Sequence, residues 1–151
     1  MANNNLETTE KESKQYIVVM VGSEQYGIDI SYIDNIVRMQ KITRVPKVQT
    51  YFKGVINLRG EIIPVMSIRL KLGLEDDNYT DKTRIIIIKV DGATIGVIVD
   101  QVKEVVTLES TDIETVARSG SLVGSGYISA IGKSNDELIS LLDIVALIEE
   151  S

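Results

Sequence analysis

"YIVVMVGSEQYGIDISYIDNIV", residues 16–37, lies without a gap on "IIIIKVDGATIGVIVDQVKEVV", residues 85–106. Ile17, Val21, Gly27 and Val37 meet identical residues, Ile86, Val90, Gly96 and Val106. Between them Val18, Val19, Ile28, Ile30, Ile33 and Ile36 meet Ile87, Ile88, Val97, Val99, Val102 and Val105. A second block follows in the same order. "GVINLRG", 54–60, falls on "GYISAIG", 126–132, and "EIIPVMSI", 61–68, falls on "ELISLLDI", 137–144, after four residues inserted at the turn. Four identities alone arise easily in a chain rich in Ile and Val. Two blocks in one order, each keeping its Gly, predict an internal duplication, with repeats at about 16–68 and 85–144.

The repeats are built of strands. Period-2 alternation and short all-apolar runs predict them at 16–21, 26–30, 54–58, 61–66, 84–90, 94–99, 102–108, 127–131 and 137–142. Their β-branched side chains suit a pleated, half-buried surface. Turn signals separate them at Gly22-Ser23, Arg59-Gly60, Asp91-Gly92 and 133–136, Asp91-Gly92 reading as a type I′ hairpin loop. Two short helices are expected, Ser31–Met39 and Asp143–Glu150, each opening on a capping residue. The fold class is therefore mainly β: two similar small barrels packed on each other, each half supplying about five strands. One irregular sandwich with accidental likeness is the alternative. Lobes near 70 residues bury little core alone, so apolar pairs such as Ile33/Ile36 and Val102/Val105 either fill the seam between lobes or face a partner.

With 151 residues, 44% hydrophobic and 25% charged, the chain fits one compact domain or two small lobes with a shared core. Its apolar runs of four or five residues fall far short of the roughly 18 a membrane helix needs. "MANNNLETTEKES", residues 1–13, lacks the apolar content to offset ordering entropy and is expected to be a disordered tail rather than a targeting segment. The absence of cysteine suits the cytoplasm. A net charge of −6 and sparse aromatics argue against nucleic acid, which asks for a basic patch.

The chain also lacks the usual parts of an active site. Without histidine there is no Ser-His or Cys-His pair, no His metal ligand and no phosphohistidine. "LEDDNYTD", 74–81, gathers Glu75, Asp76, Asp77 and Asp81 but not at calcium-loop spacing, and reads as a solvated loop. "GSLVGSGY", 120–127, fits neither phosphate-loop template and reads as a flexible connection. Asp29 and Asp100 each close a strand, where capping is the expected role. Catalytic, metal and cofactor residues are all expected to be none.

"YGIDI" (26–30), "FKGVINLRGEIIPV" (52–65) and "IGVIVDQVKEVVTL" (95–108) resemble the CheW family of bacterial chemotaxis coupling proteins, over about residues 14–150. The resemblance implies two five-stranded, SH3-like barrels around a shared core. It implies a non-enzymatic cytoplasmic adaptor that joins chemoreceptor cytoplasmic tips to the regulatory domain of the histidine kinase CheA, recruited to receptor arrays without membrane insertion. Family receptor-contact positions, carried over one by one, fall on Ile33, Asn35, Gly54, Arg59, Ile85 and Val105. At Asn35 the family often has an acidic residue, which weakens the expectation of a salt bridge there.

Arg59 is the unusual residue of its turn, where Asn, Asp or Gly is the ordinary choice. As a partner contact, its guanidinium would offer five donors in a planar fork. The alternative is a brace to a carboxylate of its own chain.

Overall fold

The computed structural model describes residues 12–115 and 126–149. The chain runs through β1 (Ser13–Val21), β2 (Glu24–Asp29), β3 (Ile33–Arg38), β4 (Phe52–Leu58), β5 (Glu61–Ser67) and α1 (Ile68–Lys71). It continues as β6 (Arg84–Val90), β7 (Ala93–Val99), β8 (Gln101–Glu109), β9 (Ile113–Thr115), β10 (Ile128–Ser134), β11 (Glu137–Leu142) and α2 (Ile144–Ile148). The expected tail lies outside the described residues up to residue 11, and Ser13, assigned to it above, already pairs with Glu109. The glycine-rich connection falls mostly on 116–125, also outside them.

Why β1 and β6 read as unbroken apolar runs is plain from their surroundings: both faces are covered. Tyr16 and Val18 point into one lobe, beside Leu108, Ile139 and Leu141. Ile17, Val19 and Val21 point the other way, into a central layer shared with Ile86, Ile88 and Val90 of β6. The alternate β6 residues, Ile85 and Ile87, fill the second lobe with Ile56, Ile63 and Val65. Three apolar layers result, one inside each lobe and one in the seam.

The first lobe is a six-stranded sheet ordered β8-β1-β2-β11-β10-β9, and the second a five-stranded sheet ordered β3-β6-β7-β5-β4. Both close on themselves. β8 passes through a 3₁₀ turn into β9, which pairs with β10 at the far edge. Beyond β3, Thr43 bridges to Val55 of β4 through two hydrogen bonds of 2.8 Å. Closure removes the free edges that would otherwise invite aggregation.

The duplication holds, but neither half closes its own barrel as expected. Hairpin β1–β2 is built into the lobe of second-half strands, through a parallel pairing of Gly27 with Leu141. Hairpin β6–β7 is built into the lobe of first-half strands, where Gly96 pairs with Val65. The halves have exchanged hairpins, and the exchange makes the central layer continuous.

The first block keeps its offset of 69 through to a shared bulge, between Val18 and Val19 opposite β8 and between Ile33 and Asn35 opposite β6. In the second block the inserted residues vanish. Phe52–Leu58 and Ile128–Ser134 correspond at a constant 76, as do Leu58↔Glu61 and Ser134↔Glu137 at the hairpin ends. Gly54 therefore matches Ala130, not Gly126. Register follows the two-residue turns, where Arg59-Gly60, Asp91-Gly92 and Asn135-Asp136 all have positive φ at both positions, the type I′ arrangement.

Gly27 and Gly96 are equivalent, and neither has room for a side chain. A Cβ on Gly27 would lie 2.7 Å from Leu141 Cδ2, and one on Gly96 2.8 Å from Ile85 Cγ2. Gly27→Val and Gly96→Val are each expected to lower stability by about 1–3 kcal/mol, by overpacking. Urea unfolding checks this, and a loss confined to one of the two would contradict their equivalence.

The helix expected over Ser31–Met39 is instead a 3₁₀ turn, Ile30–Tyr32, followed by β3. Asp29 caps that turn by accepting from Ser31 N at 2.9 Å. The bulge after Ile33 puts Ile33 and Ile36 on one face, which imitates helical spacing. The second helix forms as α2, capped by Asp143. Its counterpart α1, capped by Ser67, went unforeseen.

Candidate partner interface

The seam leaves a border of apolar side chains. Ile33 and Ile36 of β3, with Val102 of β8, pack in part against the central layer. Val105, beside Ile17 in the same sheet, is 50% exposed. Asn35 sits half-buried at the β3 bulge, and its Oδ1 accepts from Ile36 N at 2.9 Å, satisfying a backbone donor there.

Two of the six positions carried over by resemblance offer no surface. Ile85 is 0% exposed inside the second lobe, and its role is to fill that barrel. Gly54 is buried at φ +140°, and a Cβ there would run into the carbonyl of Thr43. Arg59 is exposed but apart from the seam. It caps the β4–β5 hairpin, whose other end, Phe52 and Met66, lies in the central layer. Along β5 the separation is about 20 Å at 3.3 Å per residue. The backbone of Arg59 is left-handed, φ +54°, and Gly60 N donates to Asn57 Oδ1 at 3.0 Å to fix the turn. Among the described residues no carboxylate pairs with Arg59.

What holds the two lobes in register is a clasp on Asp100. Arg69 Nε and Nη2 donate to its two carboxylate oxygens at 2.9 and 2.8 Å, in a bidentate pair. Gly22 N, from the turn of the exchanged hairpin, donates to Asp100 Oδ2 at 2.8 Å. Burial disfavours the charged carboxylate, but the hydrogen bonds from Arg69 and Gly22 outweigh it and hold Asp100 below its ordinary range. A depressed folded-state pKa contributes stability above the unfolded value near 3.8 and loses it as pH falls through the folded one. Asp100→Ala is expected to cost about 2 kcal/mol at neutral pH, by leaving Arg69 without its carboxylate and the Gly22 amide without its acceptor. The difference from wild type should shrink below pH 4, and a pH-independent difference in thermal unfolding would contradict the clasp.

The acidic loop is less uniform than its composition predicts. Asp76 is exposed and pairs with Lys53 Nζ at 2.7 Å. Both carboxylate oxygens of Asp77 are buried and complete no hydrogen bond. Burial raises the Asp77 carboxyl, against the pull of the Ser67 hydroxyl and the charge of Lys53. Among the described residues no group of three or more acidic side chains is arranged to hold a metal ion. No helix among them is long and apolar enough to cross a membrane.

Residues 15–151 match the family described as CheW-like domain. The chain belongs to the CheW family. The chemotaxis protein CheW of Bacillus subtilis (strain 168) is 36% identical over 140 residues, covering 93% of this chain and 90% of that protein. The chemotaxis protein CheW of Helicobacter pylori is 33% identical, covering 93% and 84%. The fold matches the crystal structure of the scaffolding protein TtCheW from Thermoanaerobacter tengcongensis at a TM-score of 0.83 and 29% identity, over 93% of this chain and 95% of that one. The CheW architecture of two SH3-like barrels thus accounts for the duplicated strands, and the chain's relatives are chemotaxis scaffold proteins.

One pair of residues escaped the sequence reading. Ile62 is 59% exposed on the β4–β5 hairpin and Leu138 65% exposed on β10–β11. They are equivalent at the offset of 76 and stand beside the two-residue turns. The alignment of 61–68 on 137–144 already pairs them, and what it lacks is their facing: two large aliphatics on the outward side of strands whose other side, Ile63 and Val65 or Ile139 and Leu141, is core.

Proposed function

We propose that this CheW-family chain is a non-enzymatic cytoplasmic adaptor, holding a chemoreceptor's cytoplasmic tip and the histidine kinase CheA at the same time. One observation carries the reading: the described residues present two separated kinds of exposed apolar surface, a seam border and hairpin tips, with a continuous buried core between them. The seam border, with Ile33, Asn35 and Val105, and the second-lobe tip, with Arg59, face the receptor. The span of about 20 Å between them is covered by about 13 residues of a receptor helix at 1.5 Å per residue. The first-lobe tip, with Leu138, faces the kinase, because one adaptor must engage both partners without overlap. Exposed aliphatics at a hairpin end suit a modest transient interface, in the micromolar range.

Co-sedimentation with receptor cytoplasmic fragments and the kinase tests this. The ternary complex is expected to pellet, and Leu138→Glu to lower kinase recovery while sparing the receptor. Mutually exclusive binding of receptor and kinase would falsify the adaptor arrangement.

A further inference from the structure

The cations of this acidic chain are unevenly spread. Residues 38–53 hold Arg38, Lys41, Arg44, Lys47 and Lys53 and no carboxylate, in a chain of net charge −6. This segment, a strap, leaves β3, bridges to β4 at Thr43 and forms one wall of a cleft of about 800 Å³. The opposite wall includes Asp76 and Tyr79. Lys53 is neutralised there by Asp76. Arg44 and Lys47, both exposed on the cleft wall, have no ion pair or hydrogen bond among the described residues. Between these cations Val45 and Val48 are 40% and 44% exposed, and Tyr79 faces them at 45%.

The backbone adds an independent observation. Pro46 and Lys47 stand at the centre of a turn in which Lys47 has φ +62°. Proline followed by positive φ is the type II pattern, and its second position ordinarily takes Gly or Asn. Of the five non-glycine residues at positive φ among the described residues, three are Asp or Asn, which tolerate it, and the other two are Lys47 and Arg59. A long cation kept where it strains the backbone points to use of the side chain.

We propose that this cleft takes a short acidic peptide segment of a protein partner. One or two apolar side chains sit against Val45, Val48 and Tyr79, and flanking carboxylates reach Arg44 and Lys47. The cleft volume is within the usual range for a few side chains. A nucleic acid fits poorly: of the three cations lining the cleft Lys53 is already paired, and the Asp76–Asp77 loop beside them repels a longer polyanion. None of the residues assigned to the receptor or the kinase, Ile33, Asn35, Val105, Arg59 and Leu138, lines the cleft, so this is a third surface beyond those of the adaptor reading.

The test uses the full ¹⁵N-labelled chain and the peptide Ac-Glu-Asp-Leu-Leu-Glu-Asp-NH₂. Amides of Arg44, Val45, Lys47, Val48 and Tyr79 are expected to shift, with a Kd below about 1 mM that weakens as salt is added. Arg44→Glu with Lys47→Glu should weaken the peptide at least tenfold at unchanged melting temperature. Lys47→Gly should raise the melting temperature and still weaken the peptide several-fold, a combination that a purely structural lysine would not give. The proposal is overturned if the strap amides do not move, or if the charge-reversed chain binds equally well. A lysine-substituted peptide that binds as tightly also overturns it, as does tighter binding of oligo-dT or of vesicles containing phosphatidylserine.

Discussion

Gly54→Ala is expected to destabilise the protein by about 3 kcal/mol or more, and to weaken receptor and kinase binding together. At φ +140° the backbone sits where L-residues rarely go, at about 1–3 kcal/mol for a non-glycine residue. The added methyl would also meet the Thr43 carbonyl carbon at 2.7 Å, in the bridge that closes the second lobe. Relieving that contact pulls the strap from β4 and weakens two backbone hydrogen bonds, each worth about 1 kcal/mol. In a domain of marginal stability, about 3 kcal/mol lowers the melting temperature by roughly 10 °C. Thermal unfolding, followed by both binding measurements at a temperature where the variant is folded, reads the result. A variant as stable as wild type that loses only the receptor would return Gly54 to the role its resemblance implies, a direct contact.

The same glycine illustrates what the sequence makes legible. That the strap must approach β4 closely could be suspected from Gly in a strand, but its partner, Thr43, carries no signal of its own. Strand positions were legible wherever both faces are buried, as in Ile85–Ile88, because branched apolar residues in unbroken runs have few other uses. The hairpin exchange was not. Hairpins β1–β2 and β6–β7 present nearly the same apolar pattern, so either half's β5-type strand could accept either hairpin by local rules alone. Shape and the shared central layer decide it. The misreading of β3 as a helix was avoidable, since Val102, Val105 and Val106 have the spacing of Ile33, Ile36 and Val37 and read as a strand. Of the candidate interface, Arg59 and Val105 are exposed and Ile33 and Asn35 partly so, whereas the burial of Ile85 follows from a barrel that pattern alone does not draw.

Arg59 yields the sharpest functional expectation. Its φ of +54° makes it a poor residue for its own turn, and Arg59→Gly should stabilise the fold by up to about 1 kcal/mol. Arg59→Ala, which keeps a Cβ in the left-handed region, should change stability by no more than about 0.5 kcal/mol. Both variants should weaken receptor coupling by about 2 kcal/mol if the guanidinium pairs with a carboxylate or helix-end carbonyls desolvated in the complex. Kinase binding, assigned to the Leu138 tip, should be unchanged. A bracing arginine predicts the reverse pattern: the glycine variant would lose stability despite its easier backbone, and both partners would bind less well. No intrachain carboxylate holds Arg59 among the described residues, so the brace lacks a second member. The glycine variant is therefore the decisive one, because the two accounts give its melting temperature opposite signs. An arginine that lowers the stability of its own hairpin is kept for something outside the chain, and a more stable Arg59→Gly with undiminished receptor coupling would leave it without a use.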